Sequence, residues 1–459
     1  MYTLDFKNPI KVHFMGIGGI SMSGLAEILL KENFTITGSD MKKSELCSHL
    51  EELGATIYYP QAADNIKEDI ELIVYTAAIR DDNPEMIAAK ASNKPMITRA
   101  ELLGQIMANY ENSIAISGTH GKTTTTSMIS SILLQTKDDP TITVGAILEN
   151  IGSNVHVGNS SYFVAEACEY TNSFHSFFPK YNIILNVDAD HLDFFKNLDN
   201  IRASFKKFAG NTKDNGILVI NKEIPDYKFF TANLSCQIIT YSITDSSADI
   251  YADDIAYENG CGIFSPVYKG KKYDEIKLAV PGTHNIGNAL SVIALMIEMG
   301  VDYECIKAGF MAFHGANRRF QVKGTYKGAT VVDDYAHHPT EIRARLAAAR
   351  NFDLNRLVVV FQPHTYTRTL SLMDEFVDAL SAADVIIMPD IYPAREPDIY
   401  NVSSKDVVEK LKNKGKEAYY LGSFEDTEKF IEKNIMNRDL LITMGAGDVN
   451  IIGENLLGK

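Results

Sequence analysis

The sequence predicts an α/β protein of about three domains built on parallel sheets. Three observations carry that expectation. The chain has 459 residues, about three times the roughly 150 of a typical domain. Short runs rich in β-branched residues alternate with stretches of helical period. Most of those runs end in glycine or polar residues, on the side of an open parallel sheet where ligands bind.

Composition narrows the class. With 45% hydrophobic and 22% charged residues, the chain reads as an ordinary globular protein. No apolar run approaches the roughly 20 residues of a membrane span, so no membrane insertion is expected. The first ten residues carry Asp5 and Lys7 and lack the apolar core of a secretory leader. Acidic residues outnumber basic ones 59 to 44, for a net charge of −15. Broad nucleic-acid binding needs a basic face, so no nucleic-acid partner is expected. The five cysteines (Cys47, Cys168, Cys236, Cys261 and Cys305) are scattered and form no CxxC pair. Neither a disulfide framework nor a zinc knot is indicated, and a reducing cytoplasm fits.

In chain order, residues 12–15 read as a buried strand ending in Gly16-Ile17-Gly18-Gly19, with a helix following to Leu30. Further strands are expected at 34–37, before Gly38-Ser39-Asp40, and at 72–75, before Thr76. A dinucleotide fingerprint would want glycine at 21, where Ser21 stands. Asp40 falls where a ribose-binding acid belongs, so a nucleotide-type ligand is expected at this sheet edge. This unit runs to about residue 107.

A second unit opens with a strand at 113–117 that runs into Gly118-Thr119-His120-Gly121-Lys122-Thr123-Thr124, with a helix over 124–135. Strand, glycine-rich turn and helix are the context of a phosphate loop. Backbone N–H groups and the helix dipole favour an anion there. Lys122 can reach β- and γ-phosphates, and Thr123 can offer its hydroxyl to Mg²⁺. The loop is a shortened one, because Ile116 stands where the usual pattern has its first glycine. Strands are expected at 162–165, before Glu166, at 183–186, before Asp190-His191, and at 217–220. Glu166 and His191 suit a divalent metal beside bound triphosphate if their strands neighbour the loop; otherwise they are a solvated acid and a surface histidine. An antiparallel insertion spans about 248–280. Asn285 and Asn288, three apart at the start of a helix over 285–299, either read a purine edge or cap the helix.

The third unit offers strands at 330–333, 357–361, 385–388 and 440–443, and a helix over 340–350. Arg318-Arg319, after Ala316-Asn317, either clamps a phosphate or lies in solvent. Asp333-Asp334-Tyr335-Ala336-His337-His338 and Gln362-Pro363-His364-Thr365-Tyr366-Thr367-Arg368 both follow strand ends, which favours ligand roles for part of each.

Together these segments resemble the Mur ligases, the ATP-dependent amide-forming enzymes of peptidoglycan synthesis, and among them the alanine-adding members. The resemblance covers essentially the whole chain. It rests on the order of Gly16 to Glu27, Gly118 to Thr124, Glu166, Asp190-His191, His284 to Asn288, Arg318 to Phe320, Asp333 to Glu341 and His364 to Thr369.

The resemblance implies a Rossmann-like UDP-substrate domain (1–107), a central P-loop ATP-binding domain with an antiparallel insertion (108–312), and a Rossmann-like amino-acid-binding domain (313–459). It implies ATP-dependent joining of L-alanine to the carboxylate of UDP-N-acetylmuramate through an acyl phosphate. The cofactors are ATP and Mg²⁺ or Mn²⁺, and the protein is a cytoplasmic monomer or homodimer. Gly118, Thr119, His120, Gly121, Lys122, Thr123 and Thr124 would hold ATP, with Asn285, Asn288 and Arg319. Thr123, Glu166 and His191 would hold metal. Lys122, Glu166, His191, Arg319 and Asp334 would serve catalysis. Gly18, Gly19, Ile20, Asp40 and Thr76 would line the UDP pocket. Tyr335, His337 and Arg368 would lie on the amino-acid side.

Two departures stand out. Some members carry arginine where this chain has Thr365. Others hold a second metal with a carbamylated lysine; here the alanine-adding pattern places Phe205, beside Lys206 and Lys207, so carbamylation is not expected. The rival readings are a ligase that adds a recycled tripeptide, a nicotinamide-dependent oxidoreductase using Gly16 to Asp40, and a silent nucleotide switch. The oxidoreductase leaves the phosphate loop unexplained.

Overall fold

A computed structural model describes every residue except Met1, Glu149, Asn259, Ala316 and Arg395, and every side chain among them but that of Asp193. Ala316, at the head of the arginine motif, therefore lies outside the described residues. The chain divides into two compact units. The first comprises Met1–Tyr251, Tyr268–Gly270 and Ala289–Gly309; the second comprises Ala252–Val267, Lys271–Asn288 and Phe310–Lys459.

The first unit holds two sheets. In one, five parallel strands lie in the order Thr56–Tyr58, Thr35–Ser39, Lys11–Met15, Leu72–Tyr75 and Met96–Thr98. Four of the five residues of Lys11–Met15 are buried, as befits a central strand covered on both faces. Helix Ile20–Lys31 follows and is buried nearly all round over Met22, Ser23, Gly24, Leu25, Ala26, Ile28 and Leu29.

In the other sheet, neighbours run Gln237–Ser242, Ile217–Asn221, Tyr181–Ile184, Asn112–Ser117, Tyr162–Glu166, Thr141–Leu148 and Ser153–His156. The first six are parallel, and Ser153–His156 turns back antiparallel on Thr141–Leu148. Register decides function here. Ser117 lies opposite Ile184 and Ile116 opposite Glu166, so three strands end side by side around the glycine-rich loop.

The second unit holds the antiparallel pairing of Cys261–Tyr268 with Ile276–Pro281, the insertion expected from its glycines. It also holds a six-stranded sheet in the order Gln321–Tyr326, Ala329–Asp334, Leu440–Met444, Leu357–Phe361, Val385–Pro389 and Glu417–Gly422. Only the first pair is antiparallel.

Strands 72–75 and 357–361 have the expected bounds. The loop helix begins at Lys122 and not at 124. The strand expected at 183–186 is Tyr181–Ile184, because Leu185 and Asn186 leave the ladder to bond the loop. The hairpin of Thr141–Leu148 and Ser153–His156 was not foreseen. No helix among the described residues is long and apolar enough to cross a membrane.

Candidate functional site

The site in the first unit is built around the turn between strand Asn112–Ser117 and helix Lys122–Leu133. Gly121 caps that helix in the left-handed region, at φ +88°, a conformation costly for any residue with a Cβ. The neighbouring strand end shapes the rest. Thr119 N–H donates to Asn186 O at 3.2 Å. The Asn186 side chain accepts from His120 N at 2.8 Å and donates to His120 O at 2.9 Å. Asp188 N–H donates to Thr119 Oγ1 at 2.9 Å. A loop held through both the N–H and the carbonyl of His120 is preorganised, so an anion would meet a fixed helix N-terminus.

Lys122 lies inside this turn. Its ammonium donates to Gly118 O, to Thr119 O at 3.2 Å and to Glu169 Oε2 at 2.8 Å. Burial works to lower its pKa, but the charges of Glu169, Cys168 and Glu166 outweigh burial and leave it above its usual value. Lys122 is therefore a cation at neutral pH. Thr123 and Thr124 are buried at the start of the helix.

Glu166 ends strand Tyr162–Glu166, half-buried, and its Oε1 accepts from Gly145 N–H at 2.6 Å. His191 caps the short helix Leu192–Phe195 from a left-handed conformation. Its ring packs on Tyr170 at 4.5 Å between centroids, with Nε2 3.9 Å from Glu169 Oε1. Sequence reasoning gave Glu169 no role. Its signal was a second carboxylate three residues after Glu166, near a lysine that would need a counter-ion. Phe205 is fully buried, edge-on to Phe174 at 5.2 Å. Lys206 lies over the Phe229 ring at 4.1 Å, and Lys207 lines a cavity with His175 and Phe194. Both lysines are thus engaged outside the phosphate loop.

The same unit carries the glycine turn after strand Lys11–Met15. Gly16 and Ile17 N–H donate to Ser39 O, and Gly18 N–H donates to Asp40 Oδ2 at 2.8 Å. A Cβ on Gly18 would meet Cys47 Sγ at 2.8 Å and Asp40 Oδ2 at 2.9 Å, so glycine is required by close approach. Gly19 caps helix Ile20–Lys31, Ile20 is exposed, and Thr76 follows the neighbouring strand Leu72–Tyr75. All five predicted residues thus gather at one carboxyl edge. Ser21, which breaks the dinucleotide fingerprint, accepts from Arg99 Nη1 at 2.9 Å. Arg99 was missed because it lies 78 residues away in sequence.

In the second unit the arginine pair separates. Arg318 donates to Asp333 at 3.0 Å and to the carbonyls of Gly445 and Gly447, both at 2.9 Å, so it braces the turn. Arg319 lies over the Tyr335 ring at 5.4 Å and only 3.8 Å from Glu341 Oε1, too long for a hydrogen bond. Asp334 is fully buried. It accepts from Phe320 N at 2.7 Å and Ala336 N at 2.8 Å, and pairs with Arg345 Nε at 3.1 Å. Arg345 also bonds His284 Nε2 at 2.9 Å. Asp334 is therefore a scaffold carboxylate, holding others in place.

His337 Nδ1 lies 3.1 Å from Tyr335 O, and the amide of His337 donates to Glu341 at 3.2 Å. The cap of helix Pro339–Ala349 is His338, whose Nδ1 accepts from Thr340 N. Arg368 Nη1 lies 3.3 Å from His364 Nδ1. Thr365 caps helix Tyr366–Ser371, its Oγ1 accepting from Arg368 N–H at 3.4 Å, which accounts for a hydroxyl there even at φ +68°. Asn285 and Asn288 are buried: Asn285 donates to Pro281 O at 2.8 Å, and Asn288 donates to Asn285 Oδ1 at 3.0 Å. Both asparagines lie within helix Thr283–Glu298 and donate in these contacts, so these contacts are not helix caps.

Three family models match successive stretches. These are the Mur ligase family catalytic domain over residues 11–111, the Mur ligase middle domain over 116–296, and the Mur ligase glutamate ligase domain over 318–447. The chain is 56% identical over 460 residues to the UDP-N-acetylmuramate–L-alanine ligase of Agathobacter rectalis, covering 100% of both chains. It is 56% identical over 458 residues to that of Lachnospira eligens, again with 100% coverage of both. Among solved structures, the UDP-N-acetylmuramate–alanine ligase of Thermotoga maritima matches with a TM-score of 0.79 at 31% identity over 98% of each chain. A murein peptide ligase from Psychrobacter arcticus shares the fold, with a TM-score of 0.70 at 24% identity over 98% of each chain. With family models following one another from residue 11 to residue 447 and relatives this similar from end to end, the chain belongs to the Mur ligase family.

Proposed function

We propose that this chain joins L-alanine to the carboxylate of UDP-N-acetylmuramate, converting ATP to ADP and phosphate, in the synthesis of peptidoglycan precursors. The carrying observation is a lysine-bearing phosphate loop in a chain that aligns end to end with L-alanine ligases at 56% identity. The tripeptide-recycling alternative loses ground, because the murein peptide ligase is similar at the level of fold alone.

A carboxylate is a poor acyl donor and needs activation. Its oxygen attacks the γ-phosphorus, and the bond from that phosphorus to the β-bridging oxygen breaks, giving an acyl phosphate and ADP. The neutral amine of alanine then attacks the carbonyl carbon. The C–O bond to phosphate breaks, inorganic phosphate leaves with the electron pair, and the amine proton passes to solvent. In the first step charge develops on the phosphoryl oxygens, where fixed donors count most. Lys122 and the N–H groups at the start of helix Lys122–Leu133 are the donors for it. Excluding water protects the acyl phosphate.

Thr123, Glu166 and His191 would hold Mg²⁺ or Mn²⁺, which when bound offsets phosphate charge. Oxygen donors suit such an ion, and among the described residues Glu166 is hydrogen-bonded through Oε1 alone, by Gly145. Arg319, Asn285 and Asn288 would serve the nucleotide. Gly18, Gly19, Ile20, Asp40 and Thr76 would take the UDP moiety. Tyr335, His337 and Arg368 would face the amino acid, with Asp334 positioning its neighbours. The corresponding domains are 1–107, 108–312 and 313–459, and the compartment is the cytoplasm.

The test is phosphate release by the purified chain with ATP, Mg²⁺, UDP-N-acetylmuramate and each amino acid or peptide in turn. Release dependent on L-alanine is expected. Release dependent on a tripeptide instead would overturn the assignment.

A further inference from the structure

Glu169 lies three residues past the end of strand Tyr162–Glu166. The chain turns sharply there: Asn172 N–H donates to Glu169 O at 2.9 Å and Phe174 N–H to Cys168 O at 3.1 Å. Thr171 and Asn172 take left-handed conformations, at φ +55° and +59°. The turn sends the Glu169 side chain inward, where it is 3% exposed against 16% for Lys122. Oε2 receives the Lys122 ammonium at 2.8 Å. Among the described residues Oε1 is buried without a hydrogen-bond partner, and His191 Nε2 stands 3.9 Å from it, beyond bonding distance.

An ammonium has three N–H donors, and all three of Lys122 are taken, by Gly118 O, Thr119 O and Glu169 Oε2. A phosphate oxygen can therefore reach Lys122 only if one bond is given up. The carbonyl bonds are to neutral acceptors, whereas the carboxylate bond is charge-assisted and buried, so the carbonyls yield first. Resting on the functional reading above, we propose that Glu169 is a positioning residue that keeps Lys122 anchored while phosphate replaces the loop carbonyls. Its negative charge also stands close to where the phosphates bind. The anchor thus weakens ground-state ATP binding while aiming the lysine for phosphoryl transfer.

That division separates it from a structural role. Glu169→Gln, which keeps shape and hydrogen bonding without charge, should bind ATP as tightly as the parent or up to about threefold more tightly. Its rate of phosphoryl transfer should fall by about tenfold or more. In a Lys122→Ala background, Glu169→Gln should cost no further rate, because it acts through the lysine. The full-length protein is measured by ATP titration, by single-turnover transfer with UDP-N-acetylmuramate, and by thermal unfolding. Three results would overturn the proposal: a rate within twofold of the parent, weaker ATP binding accompanying a lower unfolding temperature, or an undiminished rate loss when Lys122 is already absent. A parent chain that fails to use L-alanine defeats the functional reading. Weaker ATP binding by Glu169→Gln together with a lower unfolding temperature would still overturn this proposal, since neither depends on the acceptor.

Discussion

The amide of Gly145 donates to Glu166 Oε1 at 2.6 Å, tying a hairpin to the strand end beside the phosphate loop. A Cβ at residue 145 would stand 3.1 and 3.2 Å from the two carboxylate oxygens, so the carboxylate must move by a few tenths of an ångström. Gly145→Ala is expected to lower turnover about tenfold by misaiming Glu166. The thermal unfolding midpoint should change little, because Gly145 is exposed. Steady-state kinetics with a Mg²⁺ titration checks this; unaltered turnover and Mg²⁺ dependence would remove Glu166 from the site.

Lys122→Ala removes the cation proposed to meet the transferred phosphoryl group and should cut turnover by about 10³-fold. It also leaves Glu169 buried without its counter-ion. Breaking a buried pair on one side costs about 3 kcal/mol, readable as a lower urea midpoint. Glu169→Gln in the same background should restore part of that stability without restoring activity.

Arg99 brings a cation to the N-terminal turn of helix Ile20–Lys31 through its bond to Ser21. Arg99→Ala should weaken UDP-N-acetylmuramate about tenfold, as expected for losing a hydrogen bond to a charged group, and leave the KM for ATP unchanged. Calorimetry of the parent should show UDP-N-acetylmuramate binding and no tight NAD binding. The opposite pattern would revive a dehydrogenase reading.

Burial holds the His364 imidazole below its usual pKa, and the Arg368 guanidinium pushes the same way. The unfolded chain therefore takes up this proton near pH 6.5 while the folded chain resists it. More protons bind to the unfolded state in that window, so stability falls as pH drops below about 6.5. His364→Gln should flatten that arm of the stability profile, followed by urea unfolding between pH 7.5 and 5.5. An unchanged slope would show that His364 protonates freely in the folded protein.

What could be read from sequence was whatever local pattern and chemistry dictate together. Strand, Gly118 to Gly121 and Lys122 announced a glycine-rich turn entering a helix, and the fold has that turn, because glycines permit it and the following run has helical period. The buried runs 72–75 and 357–361 were read without error, since they are apolar throughout and end at polar residues. Glu169 escaped because its inward course depends on two left-handed residues, Thr171 and Asn172, neither of them glycine. Arg99 and the Gly145 hairpin escaped because their partners are distant in sequence. The arginine pair could not be sorted at all from sequence. Only the fold shows Arg318 spent on Asp333 and two carbonyls while Arg319 lies over Tyr335.

The most direct measurement of the central claim is product analysis of one reaction: purified chain, ATP, Mg²⁺, UDP-N-acetylmuramate carrying ¹⁸O in its carboxylate, and L-alanine. Lys122 and Thr123 stand at the head of the loop helix; on the proposed reading they hold the β/γ end of ATP, which directs attack to the γ-phosphorus. The account predicts one ADP and one inorganic phosphate per amide formed, with ¹⁸O transferred to that phosphate. AMP and pyrophosphate as products, ¹⁸O in AMP, or amide formation indifferent to L-alanine would contradict it.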